Sequence, residues 1–466
     1  MDTHSSVGDW SILTDAVSLA IAAKHKAKQS KVVIGGEMED ICDRLASFDF
    51  ECPTSELDLT SNLLELLGDH AVRNDHPRYF GLFNPPSLPP SVIGDLITAI
   101  INPQLAVWSH APAASEIERK VLEFFGKSIG WCDATVAGTF TTGGSEANQT
   151  ALMTALAKRY PQWRSKGLQA LKKRPAIYVS SESHLAWVKL ARMAGLGSDS
   201  VRLVAPANGL ALTGCELVDA IRSDVDFDPA LIVATAGATG HGAVDDMASI
   251  GQVAREHKAH YHVDAAWAGG VLLSEKHGSI LAAIDTADSV TIDAHKWLCV
   301  PMGAGMYLGR SWNELATAFD VSTEYMPSAS RELRDPYIHS VQWSRRFIGL
   351  KVFMALASLG RSGYSTMIDH MIAMGEYLRQ QLKKRHWIIH NDTQLPLICF
   401  SPPISDDGKI RSIADRIVKS GKTWLSTVPV RGTLTLRACI TSYETRQEDI
   451  DCLIELLCKE NTRHAI

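Results

Sequence analysis

The 466-residue chain is 45% hydrophobic and 21% charged, the make-up of a globular protein large enough for more than one core and not of a disordered chain. A formal net charge of -6 and a pI near 6.3 give no long-range attraction for nucleic acid or an anionic membrane, so neither is expected as a partner. No run reaches membrane-spanning length, and the nine cysteines contain no C-x-x-C pair, which reads as reduced thiols and no metal site. The opening MDTHSSVGDW lacks a basic stretch followed by an apolar run, so a cytoplasmic location is expected.

In chain order, residues 1–75 contain helical stretches (14–28 and 57–72) and read as a helical arm. The segment HPRYFGLFNPPSLPP, residues 76–90, reads as a structured loop, because its prolines remove backbone donors and bias the residues before them toward extended conformations. Residues 76–347 are predicted to form a large cofactor-binding domain. Within it AIYVS, SVRLVA, ALIVATAG, HYHVDAAW, SVTIDAHKW and GAGMYLG alternate with helical stretches, which indicates an α/β fold with a mostly parallel sheet. Runs apolar on both faces belong to strands covered on both sides, and such sheets bind ligands at the strands' carboxyl ends. Residues 348–466 turn to long helices with fewer strands, including LTLRACITS, and read as a smaller C-terminal α+β domain.

The polar residues at the strand ends carry the chemistry. DSVTIDAHKW runs an apolar strand into His295 and Lys296, where desolvation would favour the neutral amine that attacks the aldehyde of pyridoxal phosphate. HVDAAWAGG ends another strand on Asp264, a carboxylate suited to a pyridine nitrogen, with Ala266 leaving room for a flat ring. TFTTGGSEANQTALMTAL is a Gly-rich turn entering a helix near Ser145, where the amides of Gly144 and Ser145 and the Ser145 hydroxyl can seat a phosphate. In SSESHLAWVKL, His184 follows a strand and can stack on the ring. Singly, each has a plain structural use: a solvated lysine, a helix-capping aspartate, a packing turn, a packing histidine. Their order along the chain makes them a set.

That set resembles the fold type I pyridoxal phosphate enzymes, and specifically the group II amino-acid decarboxylases, which include aromatic amino acid and glutamate decarboxylases. The resemblance runs from HPRYF (His76 to Phe80) through VWSHAPAASEIE, HVDAAWAGG, DAHKW and QWSRRFIGLK (Gln342 to Lys351) to LRACITSYETRQEDID. It implies pyridoxal 5′-phosphate held as a Schiff base on Lys296, Asp264 at the pyridine nitrogen, and His184 and Ala266 on opposite ring faces. It also places His295 and the Gly144–Ser145 phosphate turn beside the cofactor. Arg437 matches an arginine near the substrate carboxylate, a surface ion pair being the alternative. Thr239 falls where the family has two threonines, but here Ala238 precedes it.

A loop tyrosine that protonates the substrate Cα is matched by Tyr337, shifted by about one residue, so His339 is its rival. Where aromatic-acid decarboxylases carry rings, Phe83 and Trp108 match while Asn84 and Ala106 do not. Asn84 and His110 can meet a polar or acidic side chain, or satisfy loop backbone instead. The expected reaction is conversion of an L-amino acid to its amine and carbon dioxide. Oxidative decarboxylation to an aldehyde, another carbon–carbon lyase or transaminase reaction, and a silent binding protein follow in that order. A homodimer with shared active sites is implied by the resemblance.

Overall fold

The computed structural model describes residues 10–48, 50–132, 136–321 and 335–463. Seven strands form the main sheet: β1 (Ala137–Thr141), β2 (Arg174–Ser180), β3 (Val201–Val204), β4 (Phe227–Thr235), β5 (His260–Asp264), β6 (Ser289–Asp293) and β7 (Gly305–Gly309). Their order is β1-β7-β6-β5-β4-β2-β3. Only β7 runs against the rest, antiparallel to both β1 and β6. The carboxyl ends of the other strands therefore point to one edge of the sheet.

The apolar runs fold as strands because both faces are covered. On β4, Ile232 and Ala234 pack with Ile250 and Val253 of the helix Met247–Glu256. Leu231 and Val233 face the other way, onto Leu152 and Leu156 of the helix Gly144–Arg159. Alternation of side chains along a strand thus divides one apolar run between two cores.

A second, antiparallel sheet joins β8 (Ile388–Ile389), β9 (Leu397–Ser401), β10 (Ser426–Val430) and β11 (Thr433–Cys439) in the order β10-β11-β9-β8. The helix Gly349–Lys384 links the sheets and breaks at Gly360, whose φ of +63° is open to glycine at no steric cost. Beyond the break, Leu378 and Leu382 share a core with Phe400, Leu436, Ile413 and Leu453. The N-terminal helices Ile12–Lys28, Met38–Ala46 and Glu56–Asp69 precede the main sheet, tied to the C-terminal region by Lys28–Glu444 (2.6 Å). One reading needs correction: the Pro-rich loop does not run to Pro90, since Pro89 and Pro90 open the helix Pro89–Ile101. Proline's missing N–H is harmless in a first turn. Among the described residues no helix is long and apolar enough to cross a membrane.

Candidate active site

Five parallel strand ends enclose a cleft of about 330 Å³ lined by Gly144, Ser145, His184, Thr239, Asp264, Ala266, His295 and Lys296, with Asn148, Trp267 and Asp293. Residues far apart in sequence meet there because every parallel strand delivers its following loop to the same edge.

β1 passes through Thr142 and Gly143 into the helix starting at Gly144. A side chain at Gly144 would place its Cβ 2.9 Å from Asp293 Oδ2 and 3.2 Å from the Ala266 methyl, so the turn approaches the cleft wall only as glycine. Glu146 fastens this turn, with Oε2 accepting from the amide (2.8 Å) and hydroxyl (2.7 Å) of Thr142 and Oε1 from Gln342 Nε2 (2.6 Å). The first amides of the helix lack intrahelical partners, as an anion seat requires.

At the end of β5, Asp264 is buried, accepting Asn148 Nδ2 on Oδ2 (2.8 Å) and the Ala266 amide on Oδ1 (3.1 Å). Lys296 Nζ lies 2.9 Å from Asp293 Oδ2. The Asp293 side chain is 2% exposed, and its Oδ1 has no hydrogen-bond partner among the described residues. His295 Nδ1 accepts the Ala304 amide (3.2 Å), and burial pushes the ring's pKa down, leaving a neutral imidazole at the cleft wall. His184 is exposed at the lip, its Nδ1 accepting from the Ala186 amide (3.1 Å).

Arg437 is buried, with Nη1 donating to the Gly81 carbonyl (2.7 Å) and Nε to those of Thr239 (3.1 Å) and Gly240 (3.2 Å). Its Nη2 has no partner among the described residues. The guanidinium lies 5.1 Å from the Phe83 ring centre, and Phe83 stacks at 4.3 Å on Trp267 of the cleft wall.

Other expected site residues lie outside the cleft within one chain. Asn84 donates to Met302 Sδ (3.1 Å) in an adjoining cavity that shares His295. Trp108 and His339 line a separate cavity beside Arg345, and His110 lines an apolar groove with Ile97, Ile101 and Phe347. Tyr337 occupies a short turn, Pro336–His339, its ring 5.0 Å from Trp343 and its amide donating to the Ala106 carbonyl (3.0 Å). The part of that tyrosine's loop before Asp335 lies outside the described residues.

Asn148, Asp293 and Trp267 were missed as site residues, although all three lie inside motifs that mark the site. The polar alternation in HYHVD was a further signal. His260 and His262 share a strand face with Asp264, and burial holds both imidazoles below their ordinary range. Unfolding lets them gain protons near pH 6.5, so the unfolded chain binds more protons and stability falls as pH drops below that value. The slope is about 1.4 kcal/mol per pH unit for each imidazole. Urea midpoints at pH 7.5, 6.5 and 5.5 check this: the drop below 6.5 should be shallower in a His260→Gln/His262→Gln protein, and equal slopes would refute it.

A sheet with one antiparallel strand, a glycine turn opening a helix, an aspartate ending one strand and a lysine just past the next define a fold type I pyridoxal phosphate enzyme. The pyridoxal-dependent decarboxylase conserved domain matches residues 46–402, and the chain belongs to that family. It is 30% identical over 408 residues to the cysteine sulfinic acid decarboxylase of Mus musculus, covering 83% of this chain and 82% of that protein. To tryptophan decarboxylase 2 of Oryza sativa subsp. japonica it is 28% identical, covering 83% and 81%. The crystal structure of mouse CSAD superimposes with a TM-score of 0.89 at 27% identity, covering 97% of this chain and 99% of that one. Pyridoxal 5′-phosphate is accordingly the cofactor, and the residues present fit it: a glycine-only turn opening a helix, a held carboxylate, and an amine in one cleft.

Proposed function

We propose that this decarboxylase converts an L-amino acid with a polar or acidic side chain to its amine and carbon dioxide. The observation that carries the site assignment is the meeting of Lys296, Asp264 and the Gly144–Ser145 turn in one cleft. Lys296 would hold the cofactor covalently, Asp264 would keep a proton on the ring nitrogen, and His184 and Ala266 would bound the ring faces. His295 and Thr239 would complete the cofactor's surroundings. When bound, pyridoxal phosphate supplies an electron sink for the pair left at Cα once the carboxylate departs. The unpartnered Arg437 Nη2 is the donor we assign to the substrate carboxylate, since a buried guanidinium N–H without a partner is costly until an anion meets it.

For the side chain, Asn84 and Ala106 stand where aromatic-acid decarboxylases carry rings, leaving an amide and a methyl group in their place. Phe83, Trp108 and His110 complete the pocket we infer, the last two reaching the cleft from a second copy of the chain. A homodimer is supported by exposed Val92, Ile93, Ile97, Ile100 and Ile101 on the helix Pro89–Ile101, an apolar surface a partner would cover. Holoprotein incubated with single amino acids should release carbon dioxide and amine from cysteine sulfinate, aspartate or glutamate. Release from tryptophan or tyrosine alone would overturn the side-chain assignment, and keto acid without carbon dioxide would overturn decarboxylation.

Tyr337 is the residue we assign to proton delivery at Cα. Tyr337→Phe should still bind substrate and release carbon dioxide, but amine should fall about tenfold or more, as loss of a general acid predicts, with aldehyde rising in its place under air. His339→Gln is the control. Unchanged amine from Tyr337→Phe with loss in His339→Gln would pass the role to His339.

A further inference from the structure

We propose that Asn148, His262, Ser289 and His260 form a one-directional hydrogen-bond relay that positions Asp264 and keeps its carboxylate ionised opposite the cofactor's ring nitrogen. The inference rests on the reading that Asp264 faces that nitrogen and adds four positioning residues behind it.

The relay follows from strand geometry. His260, His262 and Asp264 alternate along β5 and share a face, as do Ser289 and Thr291 on β6. The parallel register sets His262 beside Ser289 and Asp264 beside Thr291. Asn148, in the second turn of the helix Gly144–Arg159, lies over this face, and every member is buried. The opposite face carries Tyr261, Val263, Val290 and Ile292, within the apolar core.

The protons are fixed by elimination. A carboxylate only accepts, so Asn148 must turn Nδ2 to Asp264 Oδ2 (2.8 Å), which makes its Oδ1 an acceptor. That oxygen takes the Thr291 hydroxyl (2.8 Å) and His262 Nε2–H (3.1 Å). His262, kept neutral by burial, then has a bare Nδ1, which accepts the Ser289 hydroxyl (2.8 Å). Ser289 Oγ in turn accepts His260 Nε2–H (2.7 Å). Each bond along this path donates toward Asp264, so their dipoles add and polarise one another in a low-dielectric interior. Neutrality of His262 matters as much as its position, because an imidazolium there would compete with the ring nitrogen for the carboxylate's charge.

A cluster that merely pinned the helix to the sheet would affect every bound ligand alike, whereas a relay acting through Asp264 affects only ligands with a basic ring nitrogen. The full chain is loaded with pyridoxal phosphate or with its carbocyclic analogue lacking the ring nitrogen, and ligand loss on dilution is read by absorbance. Replacing His262 by Leu should weaken pyridoxal phosphate binding about tenfold to a hundredfold, the range of a hydrogen bond serving a charged group, and leave the analogue within about twofold. His262→Gln, which retains an N–H for Asn148, should recover most of the loss. Ser289→Ala, a milder change, should show the same selectivity with a smaller effect if the Leu variant does not fold. Equal weakening of both ligands by the relay variants would overturn the proposal. Asp264→Asn separates the two failures: nitrogen-selective weakening there with none in the relay variants removes the relay alone, and equal weakening there removes the Asp264 reading beneath it.

Discussion

Lys296→Ala protein is expected to bind pyridoxal phosphate and to lose nearly all turnover. The Gly144–Ser145 turn and the Asp264 carboxylate are built by other elements and persist without the lysine, so the seat proposed for the cofactor should remain. On the role proposed for Lys296, what would be lost is the covalent hold and the amine that exchanges with substrate. Turnover should fall about 10³-fold or more, at least ~4 kcal/mol in barrier. Borohydride followed by mass measurement should show cofactor fixed to the wild type and none to the variant. Removing Lys296 also leaves Asp293, a buried carboxylate, without its cation, which is destabilising in itself. Lys296→Arg isolates the chemistry, since a guanidinium keeps the charge opposite Asp293 and cannot form the imine. Wild-type turnover in either variant would end the assignment.

Asp264→Asn should fold and bind cofactor more weakly while kcat drops about 10²- to 10³-fold, the scale on which removing one preorganised electrostatic partner acts. Size and outline are kept, and an asparagine oxygen can still accept one of the two donors Asp264 meets now, Asn148 Nδ2 or the Ala266 amide, while its NH2 faces the other. Charge is the variable changed. Because Asp264 does accept the Ala266 amide two residues on, it also serves its own loop. A variant within about twofold of wild type, ~0.4 kcal/mol, would reduce it to that local role.

The α/β rhythm was legible because strands covered on both faces must be apolar throughout, and their polar terminators then stand out: Asp264, His295 and Lys296 all sit where an apolar run stops. The helix start at Gly144 was legible from the paired glycines. Asn148 was not, since it hydrogen-bonds a carboxylate 116 residues away and sits in a helix where an asparagine gives no local sign of its target. Asp293 lay inside the lysine's own motif, yet only the tight turn after β6 shows its oxygen against the amine. Arg437 was visible as a residue, but its carbonyl partners at Gly81 and Thr239, which aim the guanidinium, belong to tertiary structure. Trp108, His110 and Tyr337 mark a further limit: all three stand outside the cleft of a single chain, and the second copy we propose for Trp108 and His110 is not written in local sequence.

The convergence of five strand ends on a single cleft also bears on how long the protein survives. A ligand that binds only the assembled sheet withdraws molecules from the unfolded pool, adding about 2.7 kcal/mol of stability at a hundred times its dissociation constant. Each helix and loop that feeds the cleft shares in that gain, because none can leave the sheet without dismantling the seat. Cofactor supply is therefore expected to act on abundance as well as occupancy: chains made without cofactor should open more often and meet proteases more often than loaded ones.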